Sequence, residues 1–301
     1  MNGSAVPEAA APVFVEVDNA MGSTRGDVDD GFALGALLRH PVALLGLGSV
    51  FGNTSEAEAD RNNRALAAAM RSPHSHLRGC NRPGQREAAS VEFLAAQQRP
   101  FVMLALGPLT TVAAALAARA SLPITELVIV GGDAASRGRW PPLWPYEFNL
   151  LHDAAAAVRV FASDLPITVV PLDVGRRLVL SRSDLAAIPG PFGAHARQHA
   201  ERWFRRARWR FRRDAIRLYD LVAAARVLRP QALRCVDRCV AMHRRGWLEF
   251  CRSGRPVRVV EAFDATVLAL LTQPAAGDVL VAADQPAHEP ASAGTCAKLP
   301  T

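Results

Sequence analysis

Residues Val13 to Leu38, VFVEVDNAMGSTRGDVDDGFALGALL, decide how the rest of the chain is read. Val13 to Val17 is a β-branched and aromatic run that predicts a buried strand, with Asp18 at its carboxyl end. Gly22, Ser23 and Gly26 break the pattern, and Asp27, Asp29 and Asp30 follow just where Phe32, Ala33, Leu34, Leu37 and Leu38 begin an apolar helical stripe. Four acids therefore crowd one strand-loop-helix corner. Like charges a few ångströms apart push one another's pKa values up, and a bound divalent cation removes that conflict. A helix amino terminus also favours negative charge, by roughly 0.3–1 kcal/mol per group. Hard oxygen ligands select Ca²⁺ or Mg²⁺ over zinc. The plainer reading is a solvated acidic loop whose Asp residues cap a helix.

Outward from this corner, strand and helix signals alternate. Val42 to Val50 reads as a buried strand that finishes at Gly52 and Asn53, and Ser55 with Glu58 forms a capping-box signature for a helix to about Arg71. Pro73 to Gln85 reads as loop. Phe101 to Leu106 is strand, Leu109 to Ala120 an alanine-rich helix, Leu127 to Val130 strand, Asp153 to Ala162 helix, and Ile167 to Leu172 a strand ending at Asp173. Strands that are apolar throughout pair in parallel, with helices on both faces. The fold class is thus α/β: a doubly wound, mostly parallel central sheet flanked by helices. The C-terminal half is more helical, with helices over Arg182 to Ile188, Ala194 to Arg213, Leu221 to Leu228 and Ala265 to Leu271, and an outer strand pair at Val236 to Met242 and Val257 to Ala262. One domain spans 1–283; the tail 284–301, rich in Ala, Pro, Gly and Ser, is expected to be disordered.

With 301 residues, 50% of them hydrophobic and 21% charged, the composition is that of an ordinary soluble globular protein. No apolar run reaches the ~18–20 residues of a membrane span, so no membrane association is expected. The first twelve residues lack the basic start and apolar core of a secretory signal, and a cytoplasmic location is expected. Five cysteines, sparsely placed, argue for reduced thiols over a disulfide framework, and Cys235 with Cys239 lacks the second close pair of a zinc site. Of the net charge of +7, much sits in Arg197 to Arg213, where eight arginines interleave with Trp203, Phe204, Trp209 and Phe211. Such a stretch can bind single-stranded nucleic acid. It also reads as a helix with an aromatic inner face and an arginine-rich outer face whose stems cover apolar surface, or as a wall of a substrate cleft.

The opening segment resembles the amino-terminal signature of the nucleoside hydrolases, D-x-D-P-G-x-D-D-A-x-A-L, with Glu16 at the first acid and an insertion between Asp18 and Asp29. Further stretches match that family in order: VFGNTS at Val50 to Ser55, LALGPLTTVA at Leu104 to Ala113, VIVGGD at Val128 to Asp133, EFNLLHDAAAA at Glu147 to Ala157, and more weakly YDLVAA at Tyr219 to Ala224. The resemblance implies hydrolysis of the N-glycosidic bond of a ribonucleoside or related N-ribosyl compound, with Ca²⁺ as cofactor and a homodimer or homotetramer as the assembly. It assigns Asp18 as a Ca²⁺ ligand and general base for the bound water, Asp30 and Asp220 as carboxylate ligands, and the Leu106 carbonyl as a further one. Asp29, Asn53, Glu147 and Asn149 would grip the ribose hydroxyls.

Locally, Asn53 also reads as a turn residue, Asp220 as the cap of a helix at Leu221, and Glu147 and Asn149 as the polar side of a loop anchored by Phe148. Asp27 has no counterpart in the pattern. Where many members carry a histidine before the carboxyl-terminal ligand, this chain has Tyr219, a phenol protonated at pH 7 and able to donate to the departing base. His152 is a candidate replacement, and Trp140 and Trp144 are candidates to stack on the base. Two alternatives stand beside this reading: another metal-dependent hydrolase on the same acids, for instance of phosphate esters, and a catalytically weak ligand- or nucleic-acid-binding protein, to which Tyr219, the insertion and the basic stretch point.

Overall fold

In the computed structural model, residues 11–134 and 148–275 are described, the side chains of Arg210 and Phe211 apart. Through the first half strands and helices alternate: β1 (Val13–Val17), α1 (Asp29–Arg39), β2 (Leu44–Ser49), α2 (Glu56–Ala69), β3 (His76–Arg78), α3 (Ala89–Ala96), β4 (Phe101–Ala105), α4 (Thr110–Ala118) and β5 (Ile124–Val130). Then come α5 (Asn149–His152), α6 (Ala154–Phe161), β6 (Ile167–Val170), α7 (Leu172–Gly175), β7 (Val179–Ser181), α8 (Arg182–Ala187), α9 (Gly190–Phe211), β8 (Ala215–Arg217), α10 (Tyr219–Leu228), β9 (Leu233–Met242), β10 (Leu248–Cys251), β11 (Arg255–Phe263) and α11 (Thr266–Thr272).

Nine strands form one sheet in the order β10-β9-β11-β6-β5-β4-β1-β2-β3. From β3 to β11 the pairing is parallel, and β9 and β10 extend the sheet in antiparallel pairing. The reason lies in the strands themselves. Along β1, Val13, Val15 and Val17 enter one core with α1, α9, α10 and α11, while Phe14 enters the other with α3, α4 and α6. A strand buried on both faces needs helices on both sides, and only crossover connections supply them. The first six strands run 3-2-1-4-5-6, so the winding reverses between β1 and β4, and the carboxyl ends of these two strands flank the crevice where such sheets take ligands.

Several elements depart from the sequence reading. Pro73 to Gln85 is not all loop, since β3 lies within it, and α3, the β7–β8 pair and β10 were not anticipated; three- and four-residue strands carry too little periodicity to be read. Asp173 does not end a strand. It sits in the single turn α7, where its Oδ1 accepts from the Ala134 N–H at 2.9 Å. The Ser55 hydroxyl caps α2 as expected, but Glu58 turns to the Thr54 hydroxyl in place of completing a box. On α9 the inner face is aromatic at Phe192, Phe204 and the partly buried Trp203, whereas Trp209 is 86% exposed. Five residues of helix rotate Trp209 some ~140° from Phe204, onto the arginine face. The four described cysteines are free thiols. Among the described residues no helix is long and apolar enough to cross a membrane, and the tail 284–301 lies outside them.

The α9 core face also buries a histidine. His195 packs against His199 with ring centroids 4.5 Å apart, and burial, with the neighbouring imidazole second, holds its pKa down at about 4. As pH falls below about 6.5 the unfolded imidazole gains a proton that the folded one refuses until about 4, so this group's stability is present above 6.5 and lost across that window. The loss is roughly 3 kcal/mol at most. Urea unfolding between pH 7 and 4.5 should therefore show a steeper decline for the wild type than for His195→Leu; parallel profiles would remove His195 as the cause.

Candidate active site

The carboxyl ends of β1, β2 and β4 converge on Asp18. Its carboxylate is fully buried, and it lies so close to the loop after β2 that a Cβ on Gly52 would stand 1.8 Å from Oδ2. On the β4 side a Cβ at Gly107 would meet Val50 Cγ1 at 2.6 Å and Asp18 Cβ at 3.3 Å. The glycines of VFGNT and LALGP thus clear the space that this carboxylate occupies. The Asn53 N–H donates to Asp18 Oδ2 at 2.7 Å, and the Asn53 amide donates to Asp18 Oδ1 and Asp30 Oδ2, both at 3.1 Å. One asparagine side chain joins the strand-end acid to the first turn of α1.

Asp29, Asp30 and Asp220 form a second tier. One carboxylate oxygen from each lies within 4.8 Å of the other two, and all three side chains are buried. The two helices that bring them pack side by side, Phe32, Leu34 and Leu37 of α1 sharing a core with Leu221, Val222 and Ala225 of α10. Both amino termini therefore point at one spot, and their dipoles favour negative charge there. α10 starts at Tyr219, so Asp220 is not a cap before the helix but an acid inside its first turn. Burial first, then the neighbouring carboxylates, drives Asp29, Asp30 and Asp220 well above the usual carboxylate range. Asp18 is raised by burial too, offset by the Asn53 N–H, Asp30, the Asn53 side chain and, last, the charge of His152. Asp27, the one acid of the opening corner without a counterpart in the family pattern, is half-buried beside the cluster and desolvation lifts it to about 6.

These residues fit a hard divalent cation. Asp30 Oδ1 is buried and has no hydrogen-bond partner, a costly state of about 1–3 kcal/mol that a cation relieves. Three carboxylates make an all-oxygen donor set of the kind Ca²⁺ and Mg²⁺ take. Asp29, which the resemblance gave to the ribose, belongs to this group, while Asp18 stands beside it through Asp30 and Asn53. The Leu106 carbonyl accepts from the Asn149 amide at 2.9 Å, and so does the Val130 carbonyl at 3.2 Å; each oxygen keeps a second lone pair. Asn149 thereby holds the ends of β4 and β5 together and leaves its own Oδ1 uncommitted by these bonds.

Tyr219 faces the cluster, where burial raises its pKa and the Asp29 and Asp27 charges add to the rise. Arg217 Nη1 donates to its hydroxyl oxygen at 3.2 Å. No sequence signal had singled out Arg217. His152 lies close enough to Asp18 for its charge to count, with its ring 3.8 Å from that of Phe148 and its Nδ1 2.7 Å from the Phe148 carbonyl oxygen. Asp153 was read only as the start of a helix; buried, it accepts from Gly84, Thr110 and Ala156 at 2.9, 2.8 and 3.0 Å and ties three segments beside the site together. Burial pushes Glu16, the first acid of the opening motif, up to about 8, with the Glu56 and Asp18 charges adding to the rise, and its side chain lies beside Phe14 over Gly48. Glu147, Trp140 and Trp144 lie outside the described residues.

The comparisons agree with this architecture. The family model described as inosine-uridine preferring nucleoside hydrolase matches residues 15–290. The chain is 28% identical over 299 residues to the non-specific ribonucleoside hydrolase RihC of Shigella dysenteriae, covering 85% of this chain and 94% of that protein. It is 28% identical to uridine nucleosidase 1 of Arabidopsis thaliana over 242 residues, 67% of this chain and 71% of the relative. Among solved structures, the plant nucleoside hydrolase PpNRh1 superposes with a TM-score of 0.76 at 20% identity, covering 88% of this chain and 98% of the other. An inosine-guanosine nucleoside hydrolase superposes at 0.72 and 19% identity, covering 87% and 97%.

Neutralising one member of the carboxylate group separates its repulsive from its ligating role. Without added cation, at a pH high enough to ionise the raised carboxylates, Asp30→Asn is expected to be more stable than the wild type by about 1–3 kcal/mol, because a buried like charge is gone. Added Ca²⁺ should raise the melting temperature of the wild type and not that of Asp30→Asn. Thermal scans of both proteins with EDTA and with Ca²⁺ check the pair of expectations.

Proposed function

The chain belongs to the inosine-uridine preferring nucleoside hydrolase family, whose enzymes are metal-dependent hydrolases of N-ribosyl compounds, and we propose that it cleaves ribonucleosides to free base and ribose, with Asp18 as the general base and Ca²⁺ as the cation. The observation that carries this reading is the meeting of Asp29, Asp30 and Asp220 within 4.8 Å at the carboxyl edge of the sheet, with Asp18 bridged to them by Asn53.

Cleavage of an N-glycosidic bond passes through an oxocarbenium-like ribosyl group attacked by water on the face opposite the leaving base. A cation held by Asp29, Asp30, Asp220 and the Leu106 carbonyl would offset the crowded carboxylate charge and make a neighbouring water more acidic. Asp18 takes the proton from that water. Its two oxygens each already accept one hydrogen bond from Asn53, which orients the carboxylate and leaves lone pairs for the water. Burial keeps its basicity above that of a surface aspartate, which suits a base working near neutral pH.

Asn53 Oδ1 and Asn149 Oδ1 are acceptors for ribose hydroxyls, their amide nitrogens being spent on holding the site. Asp29, at the outer side of the group with 5% exposure against none for Asp30, can reach a hydroxyl as well as the cation. Glu147 is proposed to complete the sugar grip. Departure of the base is assisted by Tyr219: Arg217 donates to the phenol oxygen, so the hydroxyl proton is left to point toward the leaving group.

Release of ribose from a panel of purine and pyrimidine nucleosides tests the whole proposal. Turnover is expected to vanish with EDTA and to fall about 10²–10⁴-fold in Asp18→Ala. Gly52→Ala should be comparably impaired, since its methyl group would displace the Asp18 carboxylate. A second comparison isolates the leaving group. Tyr219→Phe should lower kcat for ordinary nucleosides by about 10–100-fold, yet spare a riboside whose leaving group is acidic enough to depart as an anion; equal losses on both substrates would assign Tyr219 a structural role.

A further inference from the structure

Beyond the site, the outer hairpin carries an unused pair of thiols. β9 and β10 pair in antiparallel fashion with Cys251 directly opposite Cys239. The turn between them is closed by bonds from Gly246 N to His243 O and from His243 N to Trp247 O, both 2.9 Å, with Gly246 at φ +90°. This is a three-residue loop ending in a left-handed glycine. His243 and Trp247 thus form a hydrogen-bonded pair, and pairs of that type recur at every second residue. Four residues further along, Cys239 and Cys251 form another. Directly opposed residues of this type have Cα atoms about 5.5 Å apart, inside the Cα range of a disulfide, and closure draws their Cβ atoms in from about 5.5 Å toward about 4.5 Å.

The two side chains share the open face of the hairpin. Their neighbours Val240, Leu248 and Phe250 point the other way, into the core formed with α6. Both cysteines are partly exposed, and both are free thiols, with Cys251 Sγ 2.8 Å from the Ser253 carbonyl. Arg244, Arg245 and Arg252 are exposed around the same hairpin, a charge pattern that draws anionic reagents. The hairpin also reaches the candidate active site. A Cβ on Gly132, in the loop after β5, would touch Leu248 at 3.2 Å and Phe250 at 3.3 Å, and one on Gly246 would stand 2.9 Å from the Leu150 carbonyl. The hairpin therefore underlies both places, β10 beneath Gly132 and the turn before it beneath the α5 segment that carries Asn149.

We propose that Cys239 and Cys251 are an oxidisable pair that closes to a cross-strand disulfide and stiffens the hairpin beneath the Asn149 segment. The oxidant is a small anionic disulfide of the glutathione class. One protein thiolate attacks it to give a mixed disulfide and one reduced thiol; the second protein thiolate then attacks the mixed disulfide, forming the S–S bond and expelling the other thiol. Two thiol protons leave the protein, and its two electrons end on the two reduced small thiols.

Peptide mapping tests the pairing without recourse to activity, so it succeeds or fails independently of the nucleosidase reading. Trypsin places Cys235, Cys239 and Cys251 on separate peptides, 235–238, 239–244 and 246–252. After incubation of the full chain with oxidised glutathione, a species joining 239–244 to 246–252 is expected, with loss of two hydrogens in mass and reversal by dithiothreitol. Cys251→Ser should instead retain glutathione on Cys239. Persistence of both free thiols, glutathione on each without a cross-link, or a link to another cysteine would overturn the pairing. Amide exchange of residues 150–154 should slow on oxidation of the wild type and stay unchanged in Cys251→Ser; a cross-link formed without that slowing would overturn the stiffening.

Discussion

Carboxylates that repel one another, gathered where two helices begin, are the constraint on which the rest of this structure depends. Asp29 and Asp30 open α1, and Asp220 lies in the first turn of α10. No folded chain places three buried acids together for stability alone, because each loses hydration and gains a like-charged neighbour. The helix dipoles return at most ~2 kcal/mol per group. What holds the cluster in place is the apolar contact behind it, where Phe32, Leu34 and Leu37 of one helix meet Leu221, Val222 and Ala225 of the other. That packing fixes the helix ends, and the helix ends fix the acids. Arg39, fully buried, serves the same purpose at the far end of α1 by donating to the Leu271 and Gln273 carbonyls at the end of α11.

Sheet topology accounts for the remaining groups. Because the winding reverses between β1 and β4, no crossover helix covers the carboxyl ends there, and the loops after β1, β2, β4 and β5 can all reach one point. Each contributes something the others lack: Asp18 a carboxylate, Asn53 an amide that spans two acids, Leu106 a carbonyl, and the loop after β5 the Val130 carbonyl that Asn149 secures. Beside the Asp18 carboxylate itself, glycine is demanded at Gly52 and Gly107, where a Cβ would press on that side chain or on Val50.

Much of this was legible before any coordinates. Strands apolar on both faces announced parallel pairing, and the strand-end positions of Asp18 and Asn53 announced convergence. What a linear pattern cannot carry is direction. Asp29 and Asp30 are adjacent on a helix, about 100° apart, and only the position of α10 decides that both, and not Asp18, share the closest group with Asp220. Asp220 taken alone reads as a helix cap, since nothing local distinguishes a cap from a buried ligand. Arg217 sits in a three-residue strand too short to register as one, and its bond to Tyr219 follows from the β7–β8 pairing. Trp209 shows the opposite limit: the interleaved aromatics of α9 suggested one inner stripe, and the helical repeat places one of them outside.

The ten residues between Asp18 and Asp29 pose the sharpest conflict between local and global structure, because an insertion at this acidic corner would be expected to pull its two sides apart. It does not, and the reason is a separate polar anchorage. Asn19, fully buried, donates to Asn63 Oδ1 at 3.0 Å and accepts from the Met21 N–H at 2.8 Å, while the Asn62 amide donates to the Asn19 carbonyl and the Ser23 hydroxyl, both at 2.9 Å. Met21 packs against Gly31, where a Cβ would meet its methyl carbon at 2.6 Å. The extra chain is therefore tied to α2 and to the flank of α1. It returns to the site through Gly26, whose φ of +96° lets the backbone pass Ala20 and the Asn53 carbonyl. Insertion length is absorbed outward, so the separation of Asp18 from Asp30 is set by Asn53, which bridges them, and is independent of the loop that joins them in sequence.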